Sequence, residues 1–68
     1  MSRVQSVLFD EHVWSINDAR RWLLNNGFID PKVDITNKYY RFRQYNPTYS
    51  ERYRIKKINS SISFIIGY

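Results

Sequence analysis

Cysteine is absent from this chain of 68 residues, and histidine occurs once, as His12. The first absence excludes a disulfide staple, a thiolate zinc site and a cysteine nucleophile together. The second leaves a metal centre short of its commonest nitrogen ligand, so no metal and no cofactor is expected. Glycine occurs twice; Gly27 stands alone, with no phosphate-loop pattern around it. No apolar run approaches the ~20 residues of a membrane-spanning helix. Arg3, Gln5 and Ser6 interrupt the apolar residues of the first ten positions, which therefore lack a signal-peptide pattern. The expectation is a soluble, unsecreted protein that does not engage a membrane.

Negative charge is scarce and badly distributed. Residues 1–34 carry four basic side chains against five acidic ones, whereas residues 35–68 carry seven basic ones against Glu51 alone. The formal net charge of +5 thus belongs to the second half, which a polyanionic partner would meet. What the chain does have is bulk: 43% hydrophobic residues and 18% aromatic ones, which is a folding composition. A single domain of this size buries only roughly 60% of its unfolded surface, so large rings must fill the core, and oligomerisation stays open as a source of stability.

The order of elements follows from periodicity. Val4 to Phe9 has apolar residues on both faces, as a central strand does. Ser15 sits at a helix N-cap position with Asp18 three residues on and Trp14 as a hydrophobic staple. Ile16, Ala19 and Leu23 then form an apolar stripe over about residues 16–26, ended by Gly27. Phe28 and Ile29 are expected to fold back onto the core, and residues 32–36 to form a short strand or an extended lead. Tyr39 to Tyr45, Tyr53 to Ile58 and Ile62 to Ile66 read as strands, the last with Ile62, Phe64 and Ile66 inward. The expected fold is α+β, one helix on a small, mainly antiparallel sheet in β-α-β-β-β order, with room for one extra short strand. Its core should contain Val7, Phe9, Trp22, Leu23, Phe42 and Phe64.

The richest segment is residues 38–57, KYYRFRQYNPTYSERYRIKK, with seven of the eleven Lys/Arg and six of the twelve aromatics. Period-two alternation puts Tyr39, Arg41, Arg43 and Tyr45 on one face, and Tyr40, Phe42 and Gln44 on the other. In the following strand Arg52, Arg54 and Lys56 share one face, and Tyr53 and Ile55 the other. Placing the apolar sets inward leaves one open sheet face of cations and rings. Arg41, Arg43, Arg52, Arg54, Lys56 and Lys57 would contact phosphate there, and Tyr39 or Tyr45 would stack on bases. The same surface suits an acidic protein partner, or serves only to keep an open sheet face soluble. No catalytic constellation accompanies His12, because Asp10, Glu11 and His12 are adjacent on an extended segment and point apart. Asp10, Glu11, Asp30 and Asp34 match no calcium-loop spacing. A non-enzymatic protein is expected.

Val4-Gln5-Ser6-Val7, Phe9-Asp10, Trp14-Ser15, Ala19, Trp22-Leu23, Gly27-Phe28, Tyr40-Arg41-Phe42-Arg43-Gln44, Pro47, Tyr53-Arg54, Lys56 and Ile66-Gly67 together resemble a group of small viral modules. These are short open reading frames, or segments fused to other proteins, in bacteriophages and large nucleocytoplasmic DNA viruses. The resemblance covers nearly the whole chain. It departs at Ile55, where Thr is commoner, and at Ser60-Ser61, where a Gly usually precedes the last strand. It implies a viral setting, in the infected host cell or in the virion, and carries no activity with it. Nucleic-acid binding and virion assembly or protein interaction are therefore the two functions in view.

Overall fold

A computed structural model describes residues 2–68. The first strand, β1 (Arg3–Asp10), is followed by helix α1 (Ile16–Asn25) and strands β2 (Asp34–Ile35), β3 (Tyr39–Arg43), β4 (Tyr53–Lys57) and β5 (Ile62–Gly67). The five strands make one sheet in the order β2-β3-β1-β5-β4, with every neighbouring pair antiparallel. The α+β class is as expected, and the two-residue β2 is the extra short strand. β1, apolar on both faces through Val7, Leu8 and Phe9, occupies the centre, where both faces can be shielded.

A bulge in β1 sets the phase of the core. Val4 lies opposite Ile66 while Ser6 lies opposite Ile65, so Gln5 is the additional residue. Val4 on one side of it, and Val7 and Phe9 on the other, therefore all face the helix. The bulge is anchored through Gln5, whose side chain donates to the Tyr45 carbonyl at 2.8 Å and whose own carbonyl accepts from the Gln44 N–H at 2.7 Å.

Both ends of the helix follow from local chemistry. Ser15 Oγ accepts from the Asp18 N–H at 3.1 Å, and Trp14 packs edge-on to Phe9 at 5.1 Å between ring centroids. At the other end Gly27 takes φ 80°, the Phe28 N–H donates to the Leu23 carbonyl at 2.9 Å, and the Gly27 N–H donates to the Leu24 carbonyl at 3.4 Å. This Schellman termination turns the chain back so that Phe28 stacks on Trp22 at 5.9 Å. Ile29 does not follow it inward and is 56% exposed. The Gln44 side chain holds the Ile29 backbone instead, accepting from its N–H and donating to its carbonyl.

Val7, Phe9, Ala19, Leu23 and Phe42 are fully buried and Ile62 nearly so. Trp22 and Phe64, expected in the core, pack against it and are partly buried. Phe9 is the hub, meeting Trp14, Trp22 and Phe42 edge-to-face; such pairs add ~0.5–1.5 kcal/mol each beyond area burial. The core draws on β1, β3, β5 and the helix, and on no residue of β4. A single ten-residue helix does not reach the β4 margin of the sheet.

Candidate functional site

Strand register decides which cations share a surface, since directly opposed residues project to the same face. Arg41 lies opposite Leu8, Leu8 opposite Ser63, and Ser63 opposite Lys57. Arg43 lies opposite Ser6, which leads through Ile65 to Ile55. These rows, with Tyr39 opposite Asp10, form the face away from the helix. Lys56 opposes Phe64 and Arg54 opposes Ile66, both core-facing positions, so these two cations project to the helix side, beyond the helix margin. Arg52 continues that set, pairing with Tyr68 through two backbone hydrogen bonds of 2.9 Å.

The expected single face is thus two surfaces. Tyr39, Arg41, Arg43 and Lys57 occupy the open face, while Arg52, Arg54 and Lys56 occupy the opposite one. Tyr53 and Ile55, expected to point inward, lie on the open face, and Ile55 is 66% exposed. The reason is the position of β4 at the sheet margin. Burial against the helix does not choose its face; pairing with β5 does, and Tyr53 is further held where its hydroxyl accepts from the Thr48 N–H at 2.8 Å and donates to Glu51 at 3.3 Å.

The open face is partly self-neutralised. Asp34 lies 3.7 Å from Arg41 and 3.4 Å from Arg43, serving both guanidinium groups. Leu8 beneath Arg41 is buried although no helix covers it, consistent with the long Arg stem lying over it.

Tyr45 is committed to structure. It falls just beyond β3, with the Arg3 guanidinium 3.7 Å over its ring and its hydroxyl donating to Glu51 at 3.0 Å. Glu51 also accepts from Arg3 at 3.4 Å. Partial desolvation works to raise the Glu51 pKa, but the hydrogen bonds from Arg3, Tyr45 and Tyr53 outweigh it and hold the carboxyl below its ordinary value. The Tyr45 hydroxyl is raised by desolvation and by its bond to Glu51. This cluster ties the chain after β3 to the end of the sheet, directly over Gly67. A Cβ there would meet the Tyr45 hydroxyl and lie 2.8 Å from Glu51 Oε2 and 3.1 Å from Tyr53 Cε1. Arg3, Thr48, Ser50 and Glu51 line an open concavity of about 450 Å³ beside it.

Most of the charge that remains unpaired lies on β4 and at Arg52, the residue before it; among the described residues Lys32 and Lys38, elsewhere in the chain, are also exposed and form no ion pair. Arg3, Arg20, Arg21, Arg41 and Arg43 each have a carboxylate within 4 Å. Among the described residues, Arg52, Arg54, Lys56 and Lys57 form no ion pair, and all four are exposed. Arg52 to Lys56 spans ~14 Å at the rise of a strand. Two aromatic residues to which the sequence pattern assigns no role lie at the same end. Tyr68 is 50% exposed with the Arg54 guanidinium 5.5 Å over its ring, and Tyr49, at the turn of the β3–β4 connection, is wholly exposed. The signal for Tyr49 was its place between Pro47-Thr48 and Ser50, where a turn cannot bury it; for Tyr68 only strand pairing reveals the neighbour.

Elsewhere the chemistry is sparse. Asp10 Oδ1 accepts from the His12 N–H at 2.9 Å, a turn contact. Among the described residues no three His, Asp or Glu side chains gather as a metal site would require, and no helix is long and apolar enough to cross a membrane. Comparison with models of known families, with curated proteins and with solved structures finds no significant match.

Proposed function

We propose that this chain is a non-enzymatic viral module that binds nucleic acid, led by phosphate contacts and with weak sequence preference. The observation that carries the proposal is the concentration of four exposed cations without ion-pair partners, Arg54, Lys56 and Lys57 on one edge strand and Arg52 immediately before it. Three of the four project to one side, and Lys57 joins Arg41 and Arg43 on the other. A guanidinium bonded to a phosphate exchanges hydration for two directed contacts, and condensed counterions are released in the process. Arg41 and Arg43 contribute less, because Asp34 already neutralises part of their charge. The viral setting rests on the sequence resemblance, with the infected cell or the virion as its place of action.

A second reading has its own observation. Arg52 exchanges both backbone hydrogen bonds with Tyr68, so alternation directs the N–H and C=O groups of Tyr53, Ile55 and Lys57 to the free edge of β4. An acidic protein partner in virion assembly could use that edge. Direct binding separates the two. The protein is titrated at low salt into a labelled oligonucleotide and into a polyglutamate peptide of equal charge. The proposal expects the oligonucleotide to bind more tightly. It also expects the Ser variant of Arg52, Arg54, Lys56 and Lys57 to lose binding with an unchanged circular dichroism spectrum. Four phosphate contacts give a slope of about −2.8 for log affinity against log salt on single strands. Absence of oligonucleotide binding by the unaltered protein refutes the proposal.

A further inference from the structure

We infer that the preferred ligand is single-stranded nucleic acid, and that two bases stack at the margin of the sheet, one on Tyr68 beside the β4 cation row and one on Tyr49 in the loop at the same end of that strand. This rests on the nucleic-acid reading above and assigns it a ligand class and two aromatic contacts.

The placement is defined by backbone pairing. Arg52 and Tyr68 exchange two hydrogen bonds of 2.9 Å, which brings their Cα atoms to ~5.5 Å and projects both side chains to the helix side of the sheet. Arg54, two residues on, lays its guanidinium over the Tyr68 ring while half of that residue stays open to solvent. Tyr49 precedes Arg52 by three residues, a chain distance of at most ~11 Å. Tyr68 therefore stands beside Arg52 at the start of the row Arg52, Arg54, Lys56 on the helix side, while Tyr49 lies at the same end of the strand on the loop that Tyr53 anchors from the open face.

Tyr49 is held there without being packed. Its loop is tied down by the Thr48 N–H donating to the Tyr53 hydroxyl, by the 3.3 Å contact between the Thr48 and Ser50 hydroxyls, and by the Tyr45 bond to Glu51. The loop is thus fixed at both sides of a ring on which nothing in the chain lies. A large ring presented this way loses little conformational freedom on stacking. Tyr45 does not serve, because it is partly buried, its hydroxyl is bonded to Glu51, and Arg3 lies 3.7 Å over its ring, closer than the 5.5 Å of Arg54 over Tyr68. Unpaired bases have open faces to offer such rings, whereas the bases of a duplex are already stacked on one another.

The test compares the unaltered protein with Tyr49→Ala, Tyr68→Ala and the two Phe variants, by fluorescence anisotropy on a labelled twelve-nucleotide thymidylate strand and on a mixed-sequence duplex of equal length. Each Ala substitution should weaken single-strand binding about fivefold or more, leave duplex binding within about twofold, and keep the circular dichroism spectrum. The Phe variants, which retain the ring, should bind the single strand as the unaltered protein does. Unchanged single-strand affinity in the Ala variants, or equal losses on strand and duplex, overturns the stacking inference while leaving the phosphate-led reading standing. Failure of the unaltered protein to bind either nucleic acid at low salt overturns both.

Discussion

Replacing Gly67 by Ala tests the joint between the β3–β4 connection and the sheet. The backbone of Gly67 has no positive φ, so an Ala adopts it without torsional strain, and loss of unfolded-state freedom would by itself stabilise by ~0.4–1 kcal/mol. The added Cβ nevertheless meets the Tyr45 hydroxyl, Glu51 Oε2 and Tyr53 Cε1 at once. None of the three can retreat singly, since Tyr45 donates to Glu51, Tyr53 donates to Glu51, and Arg3 holds both Tyr45 and Glu51. Overpacking of this kind typically costs ~1–3 kcal/mol, which exceeds the gain. A net destabilisation of ~1–2 kcal/mol is expected, and each kcal/mol lowers the Tm of a domain this size by about 4–8 °C. Thermal melts by circular dichroism measure it. Tyr45→Phe supplies the cycle: deleting the hydroxyl removes the tightest contact, so Gly67→Ala should cost less in the Tyr45→Phe background. An unchanged or raised Tm for Gly67→Ala, or strict additivity with Tyr45→Phe, would refute the reasoning.

Phe42→Ala removes a fully buried ring that meets Phe9 at 5.6 Å; a loss of ~3–5 kcal/mol should leave little folded protein, and a thermal midpoint near that of the unaltered chain would contradict the core assignment. Glu51 has a pKa below its ordinary 4.5 in the fold, so its contribution to stability is complete above that value and disappears as pH falls through the lower, folded-state value. Denaturant titrations from pH 6 downward should show this loss, and Glu51→Gln should flatten the acid limb of the curve; a limb of unchanged steepness would remove Glu51 from the account.

Several features were legible because they are encoded within a few residues of themselves. The Ser15 cap, the Gly27 termination and the Ile16, Ala19, Leu23 stripe involve contacts no longer than two helical turns, and the structure has each of them. The alternation of Ile62, Phe64 and Ile66 gave the correct inner face of β5 because that strand lies under the helix. The same rule failed on β4. Its alternation of Tyr53 and Ile55 with Arg54 and Lys56 is equally clean, but an alternating pattern tells which residues share a face and never which face is covered. On a marginal strand the apolar set was free to face away from the helix.

The site shows the same division. That residues 35–68 carry nearly all the excess positive charge, that the chain has no thiol chemistry, and that one helix must lie on a sheet are consequences of composition and short-range periodicity, determined by the sequence itself. Which cations remain unpaired was decided in three dimensions: Asp34 reaches Arg41 and Arg43 because β2 pairs with β3, and Glu51 reaches Arg3 across 48 positions of chain. The Gln5 bulge needs strands from opposite ends of the chain, and the contact of Tyr45 with Gly67 and the neighbouring of Tyr68 with Arg52 and Arg54 likewise need separate strands brought side by side. Local propensity acts over one or two turns, whereas charge pairing and face selection depend on which distant segment becomes the neighbour, and only the assembled sheet makes that choice.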